Sequence, residues 1–209
     1  MFAPASSSTP WVLADIGGTN ARFALALDAS QTLQHTLSLP VADYARFADA
    51  LTAYRQHLRA HGITVAIHAL GLAIAAPIKA QAAIKLTNSP WLIERDALVA
   101  EFALQHLSIL NDFAALALSV PGLHANQLRH WPGSPGKIAF CAGDRLAVIG
   151  PGTGLGVASL WFQDPAWHAF ASEGGHSMLC PESAFECELW LAMRENYPRL
   201  SAESLFSGN

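Results

Sequence analysis

Charge is scarce in this chain. Only 13% of its 209 residues are Asp, Glu, Lys or Arg, and the 12 basic side chains are outnumbered by 16 acidic ones. No run of Lys or Arg could neutralise a row of phosphates, which argues against a nucleic acid partner. Cysteine is nearly absent too: Cys141, Cys180 and Cys187 form neither a CxxC pair nor an even set. That excludes a disulfide framework and a cysteine-rich zinc site, and reduced thiols in a cytoplasmic protein are expected. Long apolar runs are missing as well. The stretch from Val65 to Ile78 is broken by His68 and Pro77 and is too short to span a bilayer, so it reads as buried strand in a soluble protein that does not bind membranes. The opening MFAPASSSTP has no basic and no apolar region, so no signal peptide is expected.

The common nucleotide fingerprints are also lacking. No GxxxxGK[ST] occurs, so a P-loop is excluded. In IGPGTGLG the glycines stand at Gly150, Gly152, Gly154 and Gly156, which does not fit GxGxxG, and the flanking segments read as strands where a dinucleotide fold needs a strand and a helix.

What is present is apolar and patterned. Hydrophobic residues make up 52% of the chain, enough for one good core or two small ones. WVLADI and ARFALAL are apolar runs joined at Gly17-Gly18, and LQHTLSLPV alternates as a third antiparallel strand. Tyr44, Phe47, Leu51, Tyr54 and Leu58 have helical spacing over about Asp43–His61, with Gly62 as the stop. A strand at about Ala66–Ala75 and another near Ala82–Leu86 follow, then a helix from about Ile93 to Gln105. LSILND is read as a strand running into a helix over Phe113–Ser119, WPGSPGK as a surface loop, and RLAVIG and VASLWF as strands around PGTGLG. Glu182–Glu195 reads as a helix with Phe185, Leu189, Trp190 and Met193 on its inner face. Strands followed by alternating helices and strands indicate an α/β fold. The strand–glycine-turn–strand unit recurs, LADIGGTN-ARFALAL early and AVIGPGTG-LGVASLWF late, which suggests two related domains facing a cleft, 11–110 and 111–209.

Both glycine turns suit phosphate. Gly17 and Gly18 let the backbone approach an anion, and Thr19 adds a hydroxyl. Asp15 could hold the Mg²⁺ that accompanies a nucleotide, directly or through water. Gly152-Thr153-Gly154 offers a second set of the same donors. Either loop alone equally suits an ordinary hairpin turn; the pair together favours a phosphate clamp. Asn111-Asp112 closes an apolar strand, where Asp112 could accept a proton from a substrate hydroxyl and Asn111 could serve a polyol. The bland alternative for Asp112 is a helix N-cap. Ser172-Glu173-Gly174-Gly175-His176 brings a carboxylate and an imidazole around two glycines, a turn able to direct both at one small ligand.

In order, LADIGGTNARFAL, LTNSPW, ILNDFAAL, GPGTGLGVA and SEGGH resemble the bacterial ATP-dependent glucokinase family, within the sugar kinase, Hsp70 and actin superfamily. The resemblance runs from about Val12 onward. SMLCPES after His176 lacks the cysteine-rich zinc motif of other sugar kinases and repressors of this fold. It implies an actin-like (ribonuclease H-like) α/β fold of two domains around a cleft, and ATP with Mg²⁺ as cofactors for phosphorylation of glucose. Asn111, Asp112, Glu173 and His176 would bind glucose hydroxyls, and Asp112 would be the general base. Glu203, in Leu200-Ser201-Ala202-Glu203, would complete the sugar site. Asp15 to Asn20 (Asp15, Gly17, Gly18, Thr19, Asn20) and Gly152, Thr153 and Gly154 would hold the ATP phosphates and, at Asp15, the metal. Asn88 and Trp91 would shape the cleft wall. Family members continue beyond the segment at Phe206–Asn209, so the second domain is expected to be incomplete and apolar surface exposed. An inactive fragment and a non-catalytic sugar-binding module of the same fold stay open as alternatives. About ten residues precede the first strand, which leaves no room for a DNA-reading helix-turn-helix. A homodimer is the expected assembly.

Overall fold

The computed structural model describes residues 10–27, 32–64, 66–78, 83–86, 89–134, 140–197 and 199–208. The chain divides into two compact units, Met1–Asp112 and Phe113–Asn209.

In the first unit, β1 (Trp11–Ile16), β2 (Asn20–Ala26) and β3 (Leu33–Pro40) form an antiparallel meander. β4 (Ala69–Ile74) adds to β1 in parallel, giving with a fifth strand the order β3-β2-β1-β4-β7, where β7 is His106–Asn111. β5 (Ala83–Lys85) and β6 (Leu92–Glu94) make a separate two-stranded ribbon. The parallel strands need crossovers, and helices supply them: α1 (Phe47–Ala60) between β3 and β4, and α2 (Arg95–Phe102) before β7.

Helix α1 forms where the spacing of Phe47, Leu51, Tyr54 and Leu58 predicts it, because those four side chains are all buried. Asp49 fixes its start. The Asp49 carboxylate accepts from the Arg46 N–H at 3.0 Å, and it also pairs with the Arg46 guanidinium at 2.8 Å. Its end is set by Gly62 at φ +78°, which lets the Ile63 N–H turn back onto the Leu58 carbonyl at 2.9 Å. The helix begins later than the apolar spacing suggests, since Val41–Asp43 form a 3-10 turn of their own.

The main core of this unit is a large cluster in which Phe23 stacks on Phe47 and Tyr54, and Trp11, Ala26 and Ala69 form a small second one. Each fully buried large side chain of this kind contributes about 1.5–3 kcal/mol. Trp91, expected at a cleft wall, is instead a core residue. Its ring meets Phe47 edge-on, and its indole N–H is satisfied by the Tyr44 carbonyl at 2.8 Å. A buried indole requires such a partner. Asn88 lies outside the described residues.

The second unit starts with α3 (Asp112–Ser119, its first residue closing the first unit). A three-stranded antiparallel sheet of β8 (Arg145–Pro151), β9 (Leu155–Gln163) and β10 (Ala166–Ser172) follows, then α4 (Ala184–Arg194) and α5 (Ala202–Phe206). Its core is small: Ala117, Ala158 and Leu160, with Phe113, Leu146, Val148, Trp167 and Ala169 packed around them. The strand β10 has no counterpart in the sequence reading.

Helix α4 corrects another expectation. It is well capped, with Ser183 Oγ accepting from the Glu186 N–H at 3.2 Å. The Glu182 and Ser183 N–H groups in turn hold the Glu186 carboxyl below its ordinary pKa. Yet the helix buries no residue, and Phe185 and Leu189, placed on an inner face by their spacing, are exposed. Periodicity identifies an apolar face, but only a packed neighbour makes that face an interior. Among the described residues, no helix is long and apolar enough to cross a membrane.

Candidate functional site

Two groups of predicted residues lie at strand ends in the first unit. The parallel register pairs Ile16 with Ile74 and Ile74 with Asn111, so β1, β4 and β7 end in one row. The carboxyl ends of parallel strands are where α/β folds bind ligands. From that row Gly17, Gly18 and Thr19 form a three-residue loop, closed by the Gly17 N–H donating to the Asn20 carbonyl at 3.0 Å. The Thr19 carbonyl receives the Val41 N–H at 2.8 Å, which leaves the exposed Thr19 hydroxyl outward of a fixed backbone.

At the other end of the row stands Asn111, whose side-chain amide donates to the Ala76 carbonyl at 3.4 Å. Asp112 follows as the first residue of α3, where the helix dipole favours its negative charge. It is the first helical residue, one position past the cap that the alternative reading gave it, and it directly follows the last residue of β7.

Asp15 lies two residues before the loop, on the sheet face opposite buried Ala14 and Ile16. Its carboxylate accepts from Arg22 at 3.0 Å, and both side chains are more than half exposed. The pair lines an open groove of about 430 Å³ with Leu13, Ala24, Thr36 and Ser38. Arg22 was not singled out in the sequence, although the signal was there. A three-residue loop at 17–19 makes Asp15 and Arg22 direct cross-strand partners. Mg²⁺ commonly binds through one or two carboxylates plus phosphates and water. Among the described residues no cluster of three or more His, Cys, Asp or Glu could hold a metal alone. The single carboxylate at Asp15 fits a metal that arrives with a nucleotide.

In the second unit the structure gathers Glu173, His176 and Glu203. Residues Gly174–His176 form a 3-10 turn directly after β10, started by the Gly174 N–H donating to Ser172 Oγ at 3.0 Å. His176 is bracketed by two carboxylates, with Nε2 3.5 Å from Glu173 Oε2 and Nδ1 3.5 Å from Glu203 Oε1. Glu203 comes from α5, which Ser201 caps by accepting from the Ser204 N–H at 3.2 Å. The Ala202 N–H donates to the Ser177 carbonyl at 3.0 Å and so fixes α5 beside the turn. Two carboxylates and an imidazole converging on one spot offer acceptors and donors in the mixture that a polyol needs.

The second glycine loop, Gly152–Gly154, spans β8 and β9 with the same three-residue length as the first. Its Gly152 N–H donates to the Gly154 carbonyl, two residues on, at 2.8 Å, whereas Gly17 reaches three residues on to Asn20. A role for the glycines beyond anion binding was not legible in the sequence. A Cβ at Gly156 would fall on the Phe113 ring, so that glycine is the seat of the residue that follows Asp112.

Comparison with known proteins identifies the family. The glucokinase family model matches residues 12–209. A glucokinase from Neisseria meningitidis serogroup C is 38% identical over 199 residues, which cover 95% of this chain and 58% of that relative. The crystal structure of a glucokinase from an Antarctic psychrotroph superposes with a TM-score of 0.77 at 33% identity, covering 95% of this chain and 61% of that one. A glucokinase from Balamuthia mandrillaris, solved in complex with glucose, superposes at 0.70 with 23% identity over 96% of this chain and 60% of that one. The chain therefore spans a little under three fifths of the curated relative's length. Because that family model takes in nearly the whole chain, residues 12–209 of 209, this chain belongs to the glucokinase family.

Proposed function

We propose that the protein transfers the γ-phosphoryl group of ATP to the 6-hydroxyl of glucose. The observation that carries this reading is the cluster in which His176 lies between Glu173 and Glu203, supported by Asn111-Asp112 at the end of β7. Asn111, Asp112, Glu173, His176 and Glu203 hold the sugar hydroxyls. Gly17, Gly18, Thr19 and Asn20, with Gly152 and Thr153, line the phosphates; the Gly17 and Gly152 N–H groups close their own loops, so the Gly18 and Thr153 backbone and the Thr19 and Thr153 hydroxyls are the donors. Asp15 would hold Mg²⁺, and that ion would supply charge neutralisation on the phosphates.

In the reaction the 6-hydroxyl oxygen forms the new bond to the γ-phosphorus as the bond to the ADP oxygen breaks. The hydroxyl proton passes to the Asp112 carboxylate. Positioning and electrostatics supply most of the rate, as is general for phosphoryl transfer. Reduced exposed thiols at Cys141, Cys180 and Cys187 suit a cytoplasmic setting, and a homodimer is the proposed assembly.

Two measurements on the 209-residue chain test the proposal: calorimetric titration with glucose, and a coupled assay of glucose-dependent ADP release. Glucose binding with turnover is expected, and Asp112→Asn should keep the binding while lowering turnover by about 10²–10⁴-fold. Normal turnover in that variant would remove Asp112 as the base. Binding without turnover in the unaltered chain would leave a sugar-binding module in place of a kinase.

A further inference from the structure

Gly154 and the backbone of Leu155 lie against the sugar-side cluster, and their contacts there are unlike those of an open phosphate loop. A Cβ placed on Gly154 would stand 2.7 Å from Glu203 Oε2. That same oxygen accepts from the Leu155 N–H at 2.9 Å. On the other side of Leu155, its carbonyl is packed so closely against Gly175 that a Cβ there would collide with it. A second fastener joins the loop to the end of the α5 segment, where the Gly208 N–H donates to the Gly152 carbonyl at 2.7 Å.

We infer that Gly154 and the Leu155 amide are positioning elements for the Glu203 carboxylate, an inference that rests on the sugar-site reading above. One carboxylate oxygen, Oε2, is fixed by the Leu155 N–H. The other, Oε1, is thereby turned toward His176 Nδ1 at 3.5 Å and is left to meet a ligand hydroxyl. The exposures agree with this division: the Glu203 side chain is 30% exposed, against 79% for Glu173. A free glutamate on a five-residue surface helix would lose rotamer freedom on binding sugar, whereas this one is already held.

The same contact restricts where phosphate can lie. A carboxylate 2.7 Å from the Gly154 Cβ direction repels a second anion brought to that side. Phosphate contacts of the loop therefore fall to Thr153, since the Gly152 N–H already donates to the Gly154 carbonyl, and the absence of a side chain at Gly154 serves the sugar.

The test is a double-mutant cycle in the 209-residue chain, read by glucose titration and by the Leu155 amide resonance in proton–nitrogen NMR. Gly154→Ala should weaken glucose binding about tenfold or more, the worth of a hydrogen bond to a charged group. In a Glu203→Asp background the shortened carboxylate clears the new methyl, so Gly154→Ala should then cost less than about twofold. Equal weakening in both backgrounds, or a loss confined to nucleotide affinity, overturns the inference. Should the unaltered chain bind no glucose, the sugar reading falls and the amide decides this question alone. The Leu155 resonance should move in Glu203→Gln and stay in place in Glu173→Gln; an unmoved resonance in the former overturns it. Glu203→Gln keeps the side-chain length, so it also carries the test if Gly154→Ala does not fold.

Discussion

The two units use the same hairpin to different ends. Each contains two strands joined by a three-residue loop that starts with glycine, 17–19 in one and 152–154 in the other. In the first unit the hairpin is the centre of a five-stranded sheet, and α1 covers one face with Phe47, Leu51, Tyr54 and Leu58. In the second it is two thirds of a three-stranded sheet, and α4 leaves Phe185, Leu189 and Leu191 exposed. Similar local patterns therefore give a deep interior in one place and a shallow one in the other. The interior depends on crossovers that return helices to the sheet, and strand propensity alone does not supply them.

Four substitutions measure that difference by denaturant unfolding. Phe23→Ala, which empties a ring site stacked on Phe47 and Tyr54, should cost about 3–5 kcal/mol. A cost below 1 kcal/mol would mean that the first unit is no better packed than the second. Gly156→Ala probes the tightest place in the second unit. The new methyl must displace the Phe113 ring, at about 1–3 kcal/mol of overpacking, and a neutral result would show that this core is loose throughout.

Tyr54→Phe removes the hydroxyl that donates to the His35 carbonyl at 2.9 Å and should cost about 1 kcal/mol at neutral pH. It should also change the alkaline limb. Burial raises the Tyr54 pKa well above its ordinary value, so the folded state holds the proton that the unfolded chain gives up above about pH 10. Stability from this group is complete below that pH and declines as pH rises beyond it. The Phe variant should lose stability less steeply there, and parallel curves would refute the linkage. Phe185→Ala on α4 should change stability by no more than about 0.5 kcal/mol, because that ring is 72% exposed.

Much of this was legible in the sequence where the signal is local. The spacing in α1, the stop at Gly62 and both glycine hairpins depend on neighbours a few residues apart, and the structure agrees with all of them. The family was legible because five short motifs occur in a fixed order. What escaped depends on partners remote in sequence. Trp91 reads the same on a cleft wall or beside Phe47, and the fate of α4 depends on what covers it. Gly154 reads as a phosphate donor until the Glu203 carboxylate, 49 positions on, is found over it.

The row in which β1, β4 and β7 end together also sets which lengths can drift in evolution. Ile16, Ile74 and Asn111 are aligned by register, so the site inherits its spacing from a ladder whose step is a whole residue. Adding one residue within 11–16, 69–74 or 106–111 would turn every following side chain of that strand to the opposite face. The same insertion in the connection just after α1, at 61–64, would be absorbed there. Among homologues, gaps should therefore gather between these three strands and avoid them.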